Sequence, residues 1–379
     1  MKLDFKLHYK IEEIEELWVA LGEQQLQFHF YQKPAWFKTI TQALIKNRKN
    51  NTIFYIGIYQ KNAMVGIIPI ECLQLKKLGF SLNVIRFPTH YLLDLSDCLI
   101  SESIQHLVLE PFLNFINTHK QLVWDIIFFA ATPEESCTNK LFANNTLKNY
   151  YGFAHGASSF IQCKNDFDQT IAHISSKFKR NIKRLERKAQ KQGQLSYVSV
   201  LAQNKEPTEN DSNNFSKAYQ NFLDVEADSW KSATQTAIKY NQQAINFYQQ
   251  LAKNFKYPDS CFINLLALDN KTIAVQFGIK INQQLNLLKI GFRQDYKPIG
   301  PGNIILTQTI KQAINQETKQ ISMVTAPVWA EKWKTDSTTL YRHIIFNQSF
   351  TGLMAKLLFL SLPLLKKIRS KLRELKNDK

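Results

Sequence analysis

The stretch KIGFRQDYKPIGPGNIILTQTI (289–310) decides how this chain is read. A strand ends near Phe292, a loop carries Gly300, Pro301 and Gly302, and a helix starts at about Asn303. Glycines just ahead of a helix let backbone amides approach a phosphate, and the helix N-terminus adds favourable electrostatics for its negative charge. Arg293 and Lys297 flank the loop. A Pro-Gly pair before a helix is also ordinary turn chemistry, so the loop takes its meaning from what surrounds it.

Upstream, FINLLAL (262–268) and TIAVQFGIK (272–280) flank Asp269-Asn270-Lys271, residue types that suit a tight hairpin, and LNLLKIGF (285–292) supplies a third strand. Downstream come a helix at 303–317 and a strand at 320–325. The first half has the same order: strands at 52–59 (TIFYIGIY) and 64–73 (MVGIIPIECL) around a turn, a helix at 101–119, and the apolar run Trp124 to Ala130. Helices at 11–22 and 34–47 precede them, the second opened by Pro34. The reading is a mixed α/β chain built twice, set against plain α/β alternation. With 379 residues, too many for one ordinary core, it predicts an N-terminal domain over 1–160, a second over 161–347 and a helical tail over 348–379.

Composition bounds the function. With 44% hydrophobic residues and only 12 Gly and 11 Pro, the chain is globular. A formal charge of +17, from 48 Lys and Arg against 31 Asp and Glu, attracts polyanions: nucleic acid, anionic lipid or a phosphorylated co-substrate. Five scattered cysteines form no CxxC pair, which argues against a disulfide framework or zinc site and for a reducing cytoplasm. Neither a signal peptide nor a transmembrane helix is expected. The sequence lacks GxxxxGK[ST], HExxH, GxSxG and a strand-linked GxGxxG, and its eight histidines are scattered, so metal chemistry and hydrolase triads are poorly supported. His29 and His343, each among aromatic or aliphatic neighbours, read as structural.

Four further segments stand out. In FLDVEADSWKSATQTAI (222–238), Glu226 and Trp230 are four apart and Asp228 and Lys231 three apart, which on a helix puts a carboxylate and an aromatic on one face, able to hold an acceptor amine. In VTAPVWAEKWKTD (324–336), Trp329 and Trp333 suit a short helix over a pocket, or core packing. Residues 168–193 carry an apolar stripe through Ile174, Phe178, Ile182, Leu185 and Ala189, with Lys and Arg elsewhere and Gly193 placed to stop the helix. That segment is either an anion-binding face or a solvated connector. The tail, 350–379, joins leucines to KKIRSKLRELK, and reads as a contact with an anionic membrane surface or as a helix packed on the domain before it.

Taken together, FYQKPAWFKTI (30–40), WDIIFFAATPEES (124–136), ISSKFKRNIKRLERKAQKQG (174–193), VEADSWKSATQTAI (225–238), KIGFRQDYKPIGPGNIIL (289–306) and APVWAEKWKTD (326–336) resemble, in order, the CelD/BcsL-type acetyltransferases. These are also called BioF2-like, belong to the GNAT superfamily, and are related in architecture to the FemABX peptidyltransferases. The resemblance covers roughly residues 28–340. It implies two tandem GNAT-like acyl-CoA N-acyltransferase domains and acyl transfer to a cell-envelope or polysaccharide acceptor. By its motifs, the acid before SWK maps to Glu226, with Ser229, Trp230 and Lys231 following; Tyr-x-x-x-x-Pro-Gly maps to Tyr296, Pro301 and Gly302; the closing Lys-x-Trp-Lys maps to Lys332, Trp333 and Lys334. No Gly-rich turn follows SWK here, and Val324-Thr325 replaces an Asp common in the family.

The resemblance implies an acyl-CoA co-substrate, acetyl-CoA or another acyl-CoA, and no metal. Its phosphates are assigned to Arg293, Gly300, Gly302 and Asn303, the base to Glu226 or Asp228, the returning proton to Tyr296, and acceptor contacts to Trp230, Lys231, Lys289 and Trp333. Two alternatives accompany it. One is a FemABX-like transferase fed by aminoacyl-tRNA, its phosphate backbone met by the 177–191 helix. The other is an inactive GNAT pair kept as a binding module at the membrane.

Overall fold

The structure, a computed structural model, describes residues 2–45, 51–77, 80–203, 209–229 and 237–361. It divides into two compact units: Met1–Leu26, Asn47–His155 and Leu340–Lys379 form one, Gln27–Lys46 and Gly156–Thr339 the other.

In chain order, β1 (Asp4–His8) and α1 (Glu15–Glu23) open the first unit, and α2 (Pro34–Ile40) belongs to the second. The first then continues through β2 (Asn51–Gln60), β3 (Ala63–Lys77), β4 (Phe80–Arg86), the short β5 (Leu99–Ile100), α3 (Gln105–Thr118), β6 (Ile126–Pro133) and α4 (Cys137–Phe142). Strand β7 (Tyr150–Gln162) leads into the second unit: α5 (Phe167–Thr170), α6 (Ser176–Gln190), β8 (Leu195–Leu201), α7 (Glu209–Ala227), α8 (Gln242–Asn254), β9 (Ser260–Leu268), β10 (Lys271–Ile281), β11 (Gln284–Phe292), α9 (Pro301–Asn315) and β12 (Gln320–Ser322). Strand β13 (Asp336–Phe346) returns to the first, which ends in helix α10 over 350–361.

In the first unit the strand order is β1-β2-β3-β4-β6-β13, with β5 against β3, and β4/β6 is its parallel pair. Among the buried residues of α3, Val108, Phe112 and Ile116 recur every four positions and so face one way, into the cluster of Ile56, Ile58, Ile68, Ile70 and Phe129. Full burial of such side chains stabilises by roughly 1.5–3 kcal/mol each.

The second unit repeats the plan. Its order is β8-β9-β10-β11-β12, followed by the later part of β7, and its parallel pair is β11/β12. Both units therefore run hairpin, third strand, helix, parallel strand. The hairpin turns carry the left-handed backbone of a two-residue type I′ turn: φ is 48° and 68° at Lys61 and Asn62, and 46° and 66° at Asp269 and Asn270. Neighbouring residues of β10 serve opposite layers, as a pleat requires. Gln276 accepts a hydrogen bond from Thr309 of α9, while Phe277 packs on Phe222 of α7 and Tyr248 of α8.

The repeat predicted from the sequence is present, with local differences. The 168–193 helix is broken, because the Ser175 hydroxyl accepts the Phe178 N–H and starts α6 afresh. The helical reading of 222–238 ends at Ala227, and residues 230–236 lie outside the described residues. The strand expected over 320–325 stops at Ser322, since Val324 turns left-handed with φ 62°. Among the described residues no helix is long and apolar enough to cross a membrane.

Candidate functional site

The parallel ladder between β11 and β12 pairs Gln284 with Gln320, Leu285 with Ile321 and Asn286 with Ser322, and ends there. Because β12 turns away after Ser322, its pairing with β11 ends at Asn286, while Leu287 to Phe292 continue beside β10. The first unit does not do this: β4 pairs with β6 through Val84, Ile85 and Arg86, to its last residue. Unpaired main-chain N–H and C=O groups along one strand edge can bind an extended ligand that carries amides. The register with β10 skips Leu288, a bulge beside the point where β11 and β12 separate, and bulges re-aim backbone groups.

At its outer end β11 feeds a short turn, Gln294–Ile299, and then Gly300, whose φ of 65° and ψ of 50° favour glycine. A Cβ on Gly300 would lie 2.6 Å from Leu185 Cδ1 of α6, so the bend is closed on that side. Gly302 differs: its Cβ would meet Phe292 Cδ1 at 3.6 Å, an ordinary contact. Gly300 O takes the N–H groups of Asn303 and Ile304, at 3.0 and 3.3 Å, and Pro301 has none to give. Gly302 N–H sits in the first turn of a fifteen-residue helix, where no intrahelical acceptor exists and the dipole favours an anion.

Asp228 and Arg293 are found together. Asp228 Oδ2 accepts from Arg293 Nη1 at 2.6 Å, and Arg293 Nε donates to Thr272 O at 2.9 Å. Glu226 has no exposed surface; its Oε2 accepts the Ile238 N–H at 2.9 Å and its carbonyl accepts from Ser229 Oγ at 2.7 Å. The end of α7 lies flat on β11, since a Cβ on Gly291 would stand 3.1 Å from Glu226 Cα. Trp230 and Lys231 lie outside the described residues.

Tyr296 packs in the cluster of Ile299, Ile304 and Ile305 with Lys271 Nζ 5.4 Å from its ring centre, beside the turn before α9 and away from the bulge. Lys289 is half-buried on β11 next to the bulge. Trp333, 1% exposed, is a core residue with its ring edge-on to Phe178 at 5.5 Å, and its indole N–H reaches Asn303 Oδ1 at 3.2 Å. It thus braces the first turn of α9 from behind.

Helix α6 adds a contribution that local sequence could not place. Leu185 closes on Gly300 and Lys188 Nζ donates to Pro298 O at 3.3 Å, so α6 runs beside the turn. On its outer face Arg180, Lys183, Arg184, Arg187, Lys188 and Lys191 line a shallow groove of about 550 Å³. A fixed row of cations next to a helix N-terminus focuses negative charge there.

The two histidines singled out above are structural. His343 is stacked on Phe142 at 4.8 Å, receives the Tyr150 hydroxyl on Nδ1 at 2.8 Å and meets Asn139 Oδ1 through Nε2. His29 stacks on Tyr31 at 5.1 Å. Burial lowers both to about 4. Among the described residues no His, Cys, Asp and Glu group is arranged to hold a metal.

The family described as acetyltransferase (GNAT) domain matches residues 176–335. No curated protein matches the chain. Among solved structures, FemX aligns at a TM-score of 0.58 with 10% identity over 92% of this chain and 98% of its own. The C-terminal domain of an Agrobacterium fabrum protein named as a putative lysylphosphatidylglycerol synthetase aligns at 0.52 with 10% identity, over 94% and 97%. A Bacteroides thetaiotaomicron protein of unknown function aligns at 0.53 with 9% identity, over 91% and 100%. At such identities the likeness is one of fold, and it spans both units.

Proposed function

Residues 176–335 are a GNAT acetyltransferase domain within a tandem GNAT-like fold, and from that premise we propose that the protein is an acyl-CoA-dependent N- or O-acyltransferase with a cell-envelope or polysaccharide acceptor. The observation that carries this is the early end of the β11/β12 pairing at Asn286, beyond which β11 runs through its bulge toward the turn before Gly302. A pantetheine arm has two amides to lay along such an edge, and its pyrophosphate then meets the start of α9. The equivalent strand of the first unit is paired to its end, so the donor belongs to the second.

In this reading the thioester carbonyl lies at Leu288, where a backbone amide of the bulge polarises it. The acceptor nitrogen or oxygen forms a bond to the carbonyl carbon, the C–S bond breaks, and the thiolate leaves with a proton from solvent. The acceptor's own proton goes to solvent. Asp228 is bound to Arg293 at the turn end of β11, away from Leu288, and Glu226 holds the backbone at Ile238, so both carboxylates position the frame. Tyr296 packs the turn, and Trp333 positions Asn303. The five cysteines are free thiols, in keeping with a cytoplasmic reaction.

Calorimetry with acetyl-CoA and longer acyl-CoAs tests the donor. Micromolar binding that Gly302→Trp abolishes without changing the melting temperature supports the reading; absence of binding for every thioester removes it. A second reading, in which the acyl group arrives on tRNA, is favoured by the six-cation groove on α6 beside the turn. It requires RNA affinity that falls steeply with salt, with a log–log slope of about one per phosphate contacted. The Agrobacterium fabrum relative is named for a lipid product, and a lipid headgroup amine or hydroxyl is among the acceptors to be assayed.

A further inference from the structure

Helix α10 has two apolar faces and the first unit uses one of them. The inner face, Gly352, Ala355 and Phe359, packs on the sheet: Ala355 joins the buried cluster of Leu82, Val84, Ile344 and Phe346, and Phe359 lies 5.6 Å from Phe346 and 5.7 Å from Tyr151. The helix start is held as firmly. Ser349 Oγ accepts the Gly352 N–H at 3.1 Å and donates to the buried Asp125, which also receives Thr351 Oγ1. A Cβ on Gly352 would stand 2.3 Å from Asn347 O.

The opposite face is Phe350, Leu353, Leu357 and Leu360, which are 74%, 44%, 61% and 48% exposed. Their spacing of three, four and three puts them within one stripe less than a quarter-turn wide, along a helix about 18 Å long. A helix docked by one face on a globular domain normally presents polar residues outward. Here Lys356 is the one charged residue of 350–361, and it is turned aside to donate to Asn149 Oδ1 at 2.7 Å. The sequence then changes character: between 362 and 379 it has seven Lys and Arg against two acids.

An apolar stripe followed by cations suits a surface that is apolar below and anionic above. We infer that the protein binds anionic bilayers in the plane of the headgroups, with Phe350, Leu353, Leu357 and Leu360 in the acyl boundary. The inner face stays on the sheet, so the helix binds without unfolding anything. Membrane binding of this kind needs no acyl donor and stands apart from the transfer chemistry. A separated apolar stripe is also how copies of a chain associate, and the test includes that outcome.

Flotation of the full chain with phosphatidylcholine vesicles, with or without phosphatidylglycerol, decides it. Flotation that requires phosphatidylglycerol and weakens with salt is expected, with Leu353→Glu/Leu357→Glu lowering the bound fraction about tenfold at an unchanged melting temperature. Should that double variant melt early, Leu357→Trp gives a second reading: the added indole emission shifts to the blue on vesicles and is quenched by brominated lipid. No flotation, undiminished flotation of a folded double variant, an unshifted emission from the Leu357→Trp variant, or a dimer in solution that the double variant makes monomeric would each overturn the inference.

Discussion

Asp228 Oδ2 and Arg293 Nη1 lie 2.6 Å apart, and through them the last turn of α7 is tied to the residue that follows β11. Two residues the sequence assigned to different tasks, one to the acceptor and one to the donor, share a bond. The Gln294 N–H reaches Asp228 O at 3.3 Å and Arg293 N reaches Ile273 O at 2.9 Å, so the pair is part of the frame that aims the turn.

A double-mutant cycle on Arg293→Ala and Asp228→Asn measures that tie. Because Asp228 is half exposed, solvent screens the pair, and the coupling in stability should be no more than about 1 kcal/mol. The coupling in donor affinity should be larger, since either change frees the turn. Strict additivity in both would mean that the contact aims nothing.

The two glycines of the turn should separate cleanly. Gly300→Ala forces a side chain into left-handed backbone against Leu185 and should cost roughly 1–3 kcal/mol of stability. Gly302→Ala should melt like the parent, and Gly302→Trp should keep the fold while raising the KM for acyl donor at least tenfold. Equal melting temperatures for Gly300→Ala and the parent would contradict the geometry.

Trp333 gives a graded series. Trp333→Ala empties a core site and should destabilise by about 3–5 kcal/mol. Trp333→Phe keeps much of the packing but removes the N–H to Asn303 Oδ1, so its effect should appear as a several-fold rise in donor KM with kcat little changed. A fall in kcat alone would place the indole in the chemistry instead.

Acid should loosen the fold through its histidines. Burial holds His29 and His343 at about 4 when folded, against 6.5 when exposed, so below 6.5 the unfolded chain takes up protons that the folded chain refuses. Their contribution is complete above 6.5 and is lost as the pH falls from 6.5 toward 4, at up to about 1.4 kcal/mol per pH unit for each. Asp97, raised by burial to about 6 from 3.8, has the opposite sign and adds stability as the pH falls below 6. The melting temperature should therefore decline as the pH drops below neutrality, and less steeply in His343→Gln. Identical slopes for parent and variant would show that His343 takes up its proton in the fold as readily as in the unfolded chain.

Much of the fold was legible because its signals are local. Asp269-Asn270 and Lys61-Asn62 mark hairpins by backbone preference, and the glycines at 300 and 302 mark a turn whose conformation the chain does adopt at 300. The break between α5 and α6 was missed because an apolar stripe runs through it, while a single Ser175 hydroxyl decides where the helix begins again. Trp333 and Trp329 could not be told apart by spacing, yet one is a core residue and the other sits at the surface. The clustering of 27–46 with the second unit, and the approach of Leu185 to Gly300, depend on contacts between distant segments, which no window of residues records.

The parting of β11 and β12 is made by hydrogen bonds that β12 does not form, so it is written in backbone and not in any set of side chains. Substitution can run through the residues around it and leave it intact, provided the bulge and the early departure of β12 survive. The converse also holds: extending β12 by two paired residues would zip the two strands together and remove the proposed donor binding with every candidate side chain still in place. A scan of individual residues would find no single letter responsible for that loss.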